Sequence, residues 1–239
     1  MQNGKGKITE IIAGFGRTIS LKIDSSPDLI PEPGAYLLAH REGESHSPLA
    51  VPLFRGGIPD SEEKHPVLQS TDHLPSTWGP GTVLSLRGPL GHGFAPPEEI
   101  GYLALATLGE GLERLLPLAR PALDSGADVA IFTPEPLPVD FLTFLPPAIE
   151  AHPLSALPES FAWADFLALE LPRQALPGLR SILGLPPHIK IPCRTQALIT
   201  TPMPCGAMAD CGACAVPARH GYKLACKDGP VFDLNELSW

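Results

Sequence analysis

The sequence predicts a β barrel followed by an α/β layer, with a cysteine-bearing segment at the C-terminal end. Three observations predict it. Proline contributes 30 and glycine 23 of the 239 residues, a proline content well above the usual ~5%, which favours short strands and turns over long helices. Apolar and polar residues alternate in the first hundred residues, whereas after Pro96-Pro97 apolar runs interleave with helically spaced leucines. All five cysteines (193, 205, 211, 214 and 226) fall in the last fifth of the chain.

Element by element, residues 7–23 read as two strands around Gly14 and Gly16, and 35–39 as a third after the Glu32-Pro33-Gly34 turn. The stretch 55–80 has no clean period, and its acidic run Asp60-Ser61-Glu62-Glu63 reads as a solvated loop. Residues 82–86 form a strand that runs into a glycine-rich turn over 88–94. Further on, 101–107 and 129–133 are apolar strands, while 108–123 is helical with interruptions at Pro117 and Pro121. Residues 141–151 suggest a short helix, 161–170 a strand or helix, 176–183 a helix ending at Gly184, and 189–204 an extended segment. Strands alternating with helices imply a small parallel sheet. The expected units are a barrel over 1–98, an α/β domain over 99–190 and a metal-binding segment over 191–239.

A formal net charge of −9 gives no electrostatic footprint for nucleic acid. No apolar stretch reaches the ~18 residues of a membrane helix, and the start, MQNGKGKITEII, has no apolar signal core. A cytoplasmic protein is expected. Cysteines gathered in one segment point to a local metal site in a reducing compartment rather than a disulfide scaffold.

Four of them run C-x5-C-x2-C-x11-C, as Cys205, Cys211, Cys214 and Cys226. A [2Fe–2S] cluster takes four thiolates, three from one tight loop and a fourth from a later segment. Gly206, Ala207, Ala209, Gly212 and Ala213 are small enough for the backbone to wrap such a cluster. The first gap is one residue longer than in the plant-type C-x4-C-x2-C order. Four thiolates also make a closed zinc shell, although zinc sites more often pair two C-x2-C knuckles and only Cys211 and Cys214 form one. His220 reads as an exposed turn residue and Cys193 as a small buried apolar one.

The four cysteines followed by Cys226-Lys227-Asp228-Gly229-Pro230-Val231-Phe232 resemble the C-terminus of the electron-transfer subunit of type B dihydroorotate dehydrogenase, a ferredoxin-reductase-like flavoprotein. Pro33-Gly34 entering a strand and Gly88-Pro89-Leu90-Gly91-His92-Gly93-Phe94 at the end of the barrel also look like that family. The resemblance implies a ferredoxin-reductase-like two-domain architecture with a C-terminal [2Fe–2S] segment. It implies cluster ligation by Cys205, Cys211, Cys214 and Cys226, and a flavin contact at Gly88, Pro89, Leu90 and Gly91. It also implies a hetero-oligomer with a catalytic oxidoreductase subunit, in pyrimidine biosynthesis.

The family's nucleotide motifs are eroded here. Where an arginine and a serine hold FAD, the matching stretch Ser47–Phe54 places Val51 and Phe54, with Arg55 adjacent. An apolar side chain supplies no charge-assisted bond to a pyrophosphate. The nicotinamide loop keeps Gly109 and Gly111 but carries Glu110 and Glu113, and the later C-G-P motif is replaced around Ala168-Leu169-Glu170. The expectation is FAD binding in doubt, weak NAD(H) binding or none, and a single-cluster electron carrier that is a component of a complex rather than a stand-alone enzyme. The other reading is a non-catalytic assembly subunit with a structural four-cysteine zinc site. Met203, Met208, Val216 and Phe232 are the apolar candidates for partner contact, Met208 foremost.

Overall fold

The computed structural model describes residues 2–14, 18–44, 50–57, 66–71, 74–186 and 189–239. The acidic run 60–63, Gly16 and residues 47–49 of the expected flavin stretch lie outside them. Six antiparallel strands close a barrel in the order β1-β2-β5-β4-β3-β6. They are β1 (Gln2–Ala13), β2 (Ile19–Ser25), β3 (Tyr36–Arg41), β4 (Val51–Gly56), β5 (Val67–Ser70) and β6 (Val83–Leu90). Strand alternation sends Ile8, Leu21, Ile23, Leu37, Leu53, Leu68 and Leu84 into the barrel.

On β3 and β4 the other face is buried as well. Tyr36, Leu38, Ala50 and Phe54 join the second core, shared with the α/β sheet. A strand covered on both sides has no polar alternation, which is why Tyr36-Leu37-Leu38-Ala39 is continuously apolar and buried.

The second sheet runs β14-β11-β10-β7-β8-β9. Its strands are β7 (Tyr102–Thr107), β8 (Asp128–Thr133), β9 (Ile149–Pro153), β10 (Phe166–Pro172), β11 (Arg194–Thr200) and β14 (Val231–Asp233). Pairings from β9 through β11 are parallel, and β14 closes the edge antiparallel to β11. Between β11 and β14 a two-stranded ribbon, β12 (Ala215–Ala218) with β13 (Gly221–Leu224), carries the cysteine segment. The chain steps outward from β7 through β8 to β9, then returns to place β10 on the other side of β7. The strand order therefore reverses between β7 and β10.

The helices are short. Over 108–123 the expected helix is split into α1 (Leu112–Leu115), a 3-10 turn at Leu116–Leu118 and α2 (Ala119–Asp124), with Pro117 in the turn. α3 (Val139–Phe144), α4 (Leu157–Ser160), α5 (Leu179–Ile182) and α6 (Ala225–Asp228) are similarly brief. Among the described residues, no helix is long and apolar enough to cross a membrane.

Several expectations need correction. The unpatterned stretch 55–80 contains β5 and the end of β4, and the expected helix at 141–151 ends early to give β9. Gly88, Pro89 and Leu90 belong to β6 rather than to a turn. Segment 161–170 resolves to strand, as β10.

Candidate metal centre

The cysteine loop hangs between the barrel and the second sheet and is fastened to both. Gly206, Ala207, Ala209 and Gly212 have φ between 60° and 67°, a left-handed backbone that small residues accept most readily. This succession of left-handed turns curls 205–214 around a short radius. Cys211 acts on the Cys205 thiol, and Cys214 with Cys205 on the Cys226 thiol. The Ala225 N–H donates to the Cys214 carbonyl oxygen at 3.0 Å, setting β13 and α6 beside the loop. The four thiols thus converge as two pairs. Among the described residues, no three Cys, His, Asp or Glu side chains gather closely enough to hold a single metal ion.

The thiols differ electrostatically. Burial raises the Cys205 thiol, but hydrogen bonds from Cys211 and from the backbone at Ala209, Asp210 and Cys211 outweigh it, giving a pKa of about 7. Cys226 is pushed the other way, to about 12, by burial first and then by Cys214 and Cys205. Cys214 and Cys226 are buried, Cys211 is exposed and Cys205 is half-buried.

Three side chains outside the cysteine segment hold it. The Tyr36 hydroxyl donates to the Cys226 carbonyl oxygen at 2.8 Å. The Arg87 guanidinium donates to the Gly206 carbonyl. Arg173 donates to the carbonyl oxygens of Ala213 and Ala215 at 2.6 and 3.0 Å. Sequence reasoning missed all three, because an isolated arginine or tyrosine carries no motif. The Gly88–Phe94 stretch also serves the segment. The His92 N–H donates to the Gly229 carbonyl at 2.6 Å, and a Cβ on Gly91 would stand 2.5 Å from that oxygen. Glycine is needed there for the close approach as well as for its φ of 71°.

The remaining candidates separate clearly. Cys193 is half-buried at the edge of the core, with its thiol 3.8 Å from the Thr195 hydroxyl, and burial pushes that thiol up. His220 lies exposed in the turn between β12 and β13. Met203, Val216 and Phe232 are core residues, whereas Met208 is 64% exposed. Met203 and Val216 are therefore corrected from surface contacts to packing, Phe232 packs in the core, and only Met208 of the four faces outward.

The nucleotide positions hold protein side chains. Phe54 is 1% exposed, with its ring centroid 5.7 Å from that of Tyr36. These two rings cover part of the outer face of β3 and β4, where the resemblance implies a flavin-holding arginine and serine. Val51 is half-buried and Arg55 exposed. Glu110 is exposed, but Glu113 and Glu170 are buried.

An antiparallel barrel joined to a parallel sheet is a ferredoxin-reductase-like architecture. Residues 201–238 match the iron-sulfur cluster binding domain of dihydroorotate dehydrogenase B. This match agrees with the likeness of the segment's motifs to that enzyme's electron-transfer subunit. The fold is similar to that of an NADH-dependent reduced ferredoxin-NADP oxidoreductase, at 18% identity and TM-score 0.70, covering 98% of this chain and 90% of that one. It is also similar to phthalate dioxygenase reductase, a modular structure for electron transfer from pyridine nucleotides to [2Fe–2S], at 15% identity and TM-score 0.56 over 84% and 70% of the two chains. The ferredoxin reductase of carbazole 1,9a-dioxygenase is matched at 18% identity and TM-score 0.54, over 78% of this chain and 65% of that one. No curated protein matches the sequence.

Proposed function

We propose that the chain is an electron-transfer subunit whose [2Fe–2S] cluster is held by Cys205, Cys211, Cys214 and Cys226. The observation that carries this reading is the convergence of two thiol pairs inside the segment that matches the cluster-binding domain. Two pairs suit two irons with two thiolates each, and suit a single tetrahedral zinc less well. The cluster would supply one-electron chemistry. Tyr36, Arg87 and Arg173 hold the carbonyl groups of its loop, which fixes the thiols and leaves backbone N–H groups free to face sulfur.

The partner in this reading is a catalytic oxidoreductase subunit of the dihydroorotate dehydrogenase kind, which would place the complex in pyrimidine biosynthesis. Met208 stands exposed within the cysteine loop and offers an adaptable apolar contact beside the redox centre.

Anaerobic purification tests the reading. About two irons and two sulfides per chain are expected, with a rhombic EPR signal on reduction, following the four-thiolate count. Cys211→Ser or Cys214→Ser should abolish that signal and Cys193→Ser should leave it. Stoichiometric zinc without iron after anaerobic reconstitution would overturn the proposal.

A further inference from the structure

In an open α/β sheet the ligand crevice lies outside the carboxyl ends of the strands, where the strand order reverses. Here that point falls between β7 and β10, whose final turns bring Thr107 opposite Glu170 in register. Glu170 is 1% exposed. Its carboxylate accepts a hydrogen bond from the Thr107 hydroxyl at 2.7 Å and from the Arg114 guanidinium at 2.7 Å. A hydroxyl and a guanidinium converging on one anion at a crevice floor form a donor set suited to phosphate as well as to carboxylate.

We infer that the switch-point crevice is an anion subsite occupied by the chain's own Glu170 carboxylate, which closes it to the phosphates of a dinucleotide. Three observations beyond that contact carry the inference. The loop is shaped around the carboxylate: a Cβ on Gly111 would collide with the Glu170 carboxyl group and with Arg114. Arg114 is 5% exposed, yet its Nε has no partner among the described residues. The guanidinium therefore keeps donor capacity that one carboxylate oxygen does not use, as expected where a larger anion could be bound. A second buried carboxylate, Glu113, adjoins Arg114 in the chain and is held against the barrel, accepting from Gln69 on β5 and, at 3.2 Å, from Thr18. Its carbonyl oxygen also receives the Gly57 N–H at 3.1 Å. With both carboxylates inside, a reductase-like fold loses its nucleotide entry, and electrons must reach this chain from another protein.

The test uses the full chain, wild type and Glu170→Gly, in thermal unfolding with millimolar phosphate, pyrophosphate or NADH, against chloride at matched ionic strength. The wild-type midpoint should not move with any of them, and calorimetry with NADH should show no binding heat. Glu170→Gly leaves the buried Arg114 without its counter-charge. Its midpoint should fall by roughly 6–20 °C, taking the usual cost of breaking a buried pair and the usual slope for a chain of this size. Phosphate or pyrophosphate should restore at least half of that loss, and chloride none of it. NADH stabilisation of the wild type, or an unfolding midpoint of Glu170→Gly that does not respond to phosphate, would overturn the inference. Should Glu170→Gly not fold, the wild-type NADH measurement decides alone. Iron content is read separately in the same samples, so failure of the cluster assignment is distinguishable from failure here.

Discussion

The Tyr36 hydroxyl and the Cys226 carbonyl oxygen, 190 positions apart, are joined by a buried 2.8 Å hydrogen bond. It ties the third barrel strand directly to the residue that closes the cysteine site. Burial pushes the Tyr36 hydroxyl up, with Cys226 and Cys214 adding to the effect and Arg87 opposing it. The hydroxyl therefore remains a donor at any pH the folded protein experiences.

Tyr36→Phe keeps the ring that packs on Phe54 and removes only this donor. Leaving the buried carbonyl unsatisfied should cost about 1–3 kcal/mol of stability, read as a lower denaturant midpoint with unchanged slope. Iron should also leave faster when the protein is challenged with a chelator. Unchanged iron release in Tyr36→Phe would mean that the bond serves only the fold.

Arg173→Met removes two bonds to the loop between Cys211 and β12 while keeping much of the side-chain stem. Charge-assisted hydrogen bonds contribute about 1.5–3 kcal/mol each in favourable cases, so iron release should quicken markedly. Arg120→Met is the control, because its pair with Asp124 is exposed and contributes at most about 1 kcal/mol. Equal chelator sensitivity in the two variants would argue against a clamp.

Thiol reactivity of the metal-free protein should follow the shifts. With Cys205 near pH 7 at its midpoint, its alkylation rate should plateau above neutrality and fall tenfold per pH unit below it, as the thiolate is protonated. Cys193, whose thiol is raised by burial, should still be gaining reactivity at pH 9. Mass spectrometry of samples quenched across a pH series reads both residues at once.

Met208→Glu should weaken association with the catalytic partner while leaving iron content unchanged, since the side chain is 64% exposed and packs nothing in the core. Co-purification from gentle lysis, followed by affinity measurement with the isolated partner, checks this. An unchanged affinity would move the docking surface away from the loop.

The cysteine spacing and the small residues between the cysteines were legible because metal ligation of this kind is written locally, within 205–226. The same holds for β2, β7 and β8, whose periodicity or apolar runs are self-contained. The three-residue strand β14 and the strand β5 were not legible, since neither is long enough to show a period and each exists only through its pairing partners. Phe54 reads in the sequence only as a departure from a motif; the tertiary structure makes it a ring tilted against Tyr36 in a doubly covered wall. Glu170 lies in the sequence within an apolar run. Its part as an internal anion depends on Arg114 and Thr107, brought to it by parallel pairing and a short helix. The sequence by itself determined which residues are the candidate metal ligands. Which side chains clamp that site and which fill the nucleotide crevice was decided only by contacts between strands far apart in the chain, because their bond energy is realised only once the barrel and the sheet have closed on each other.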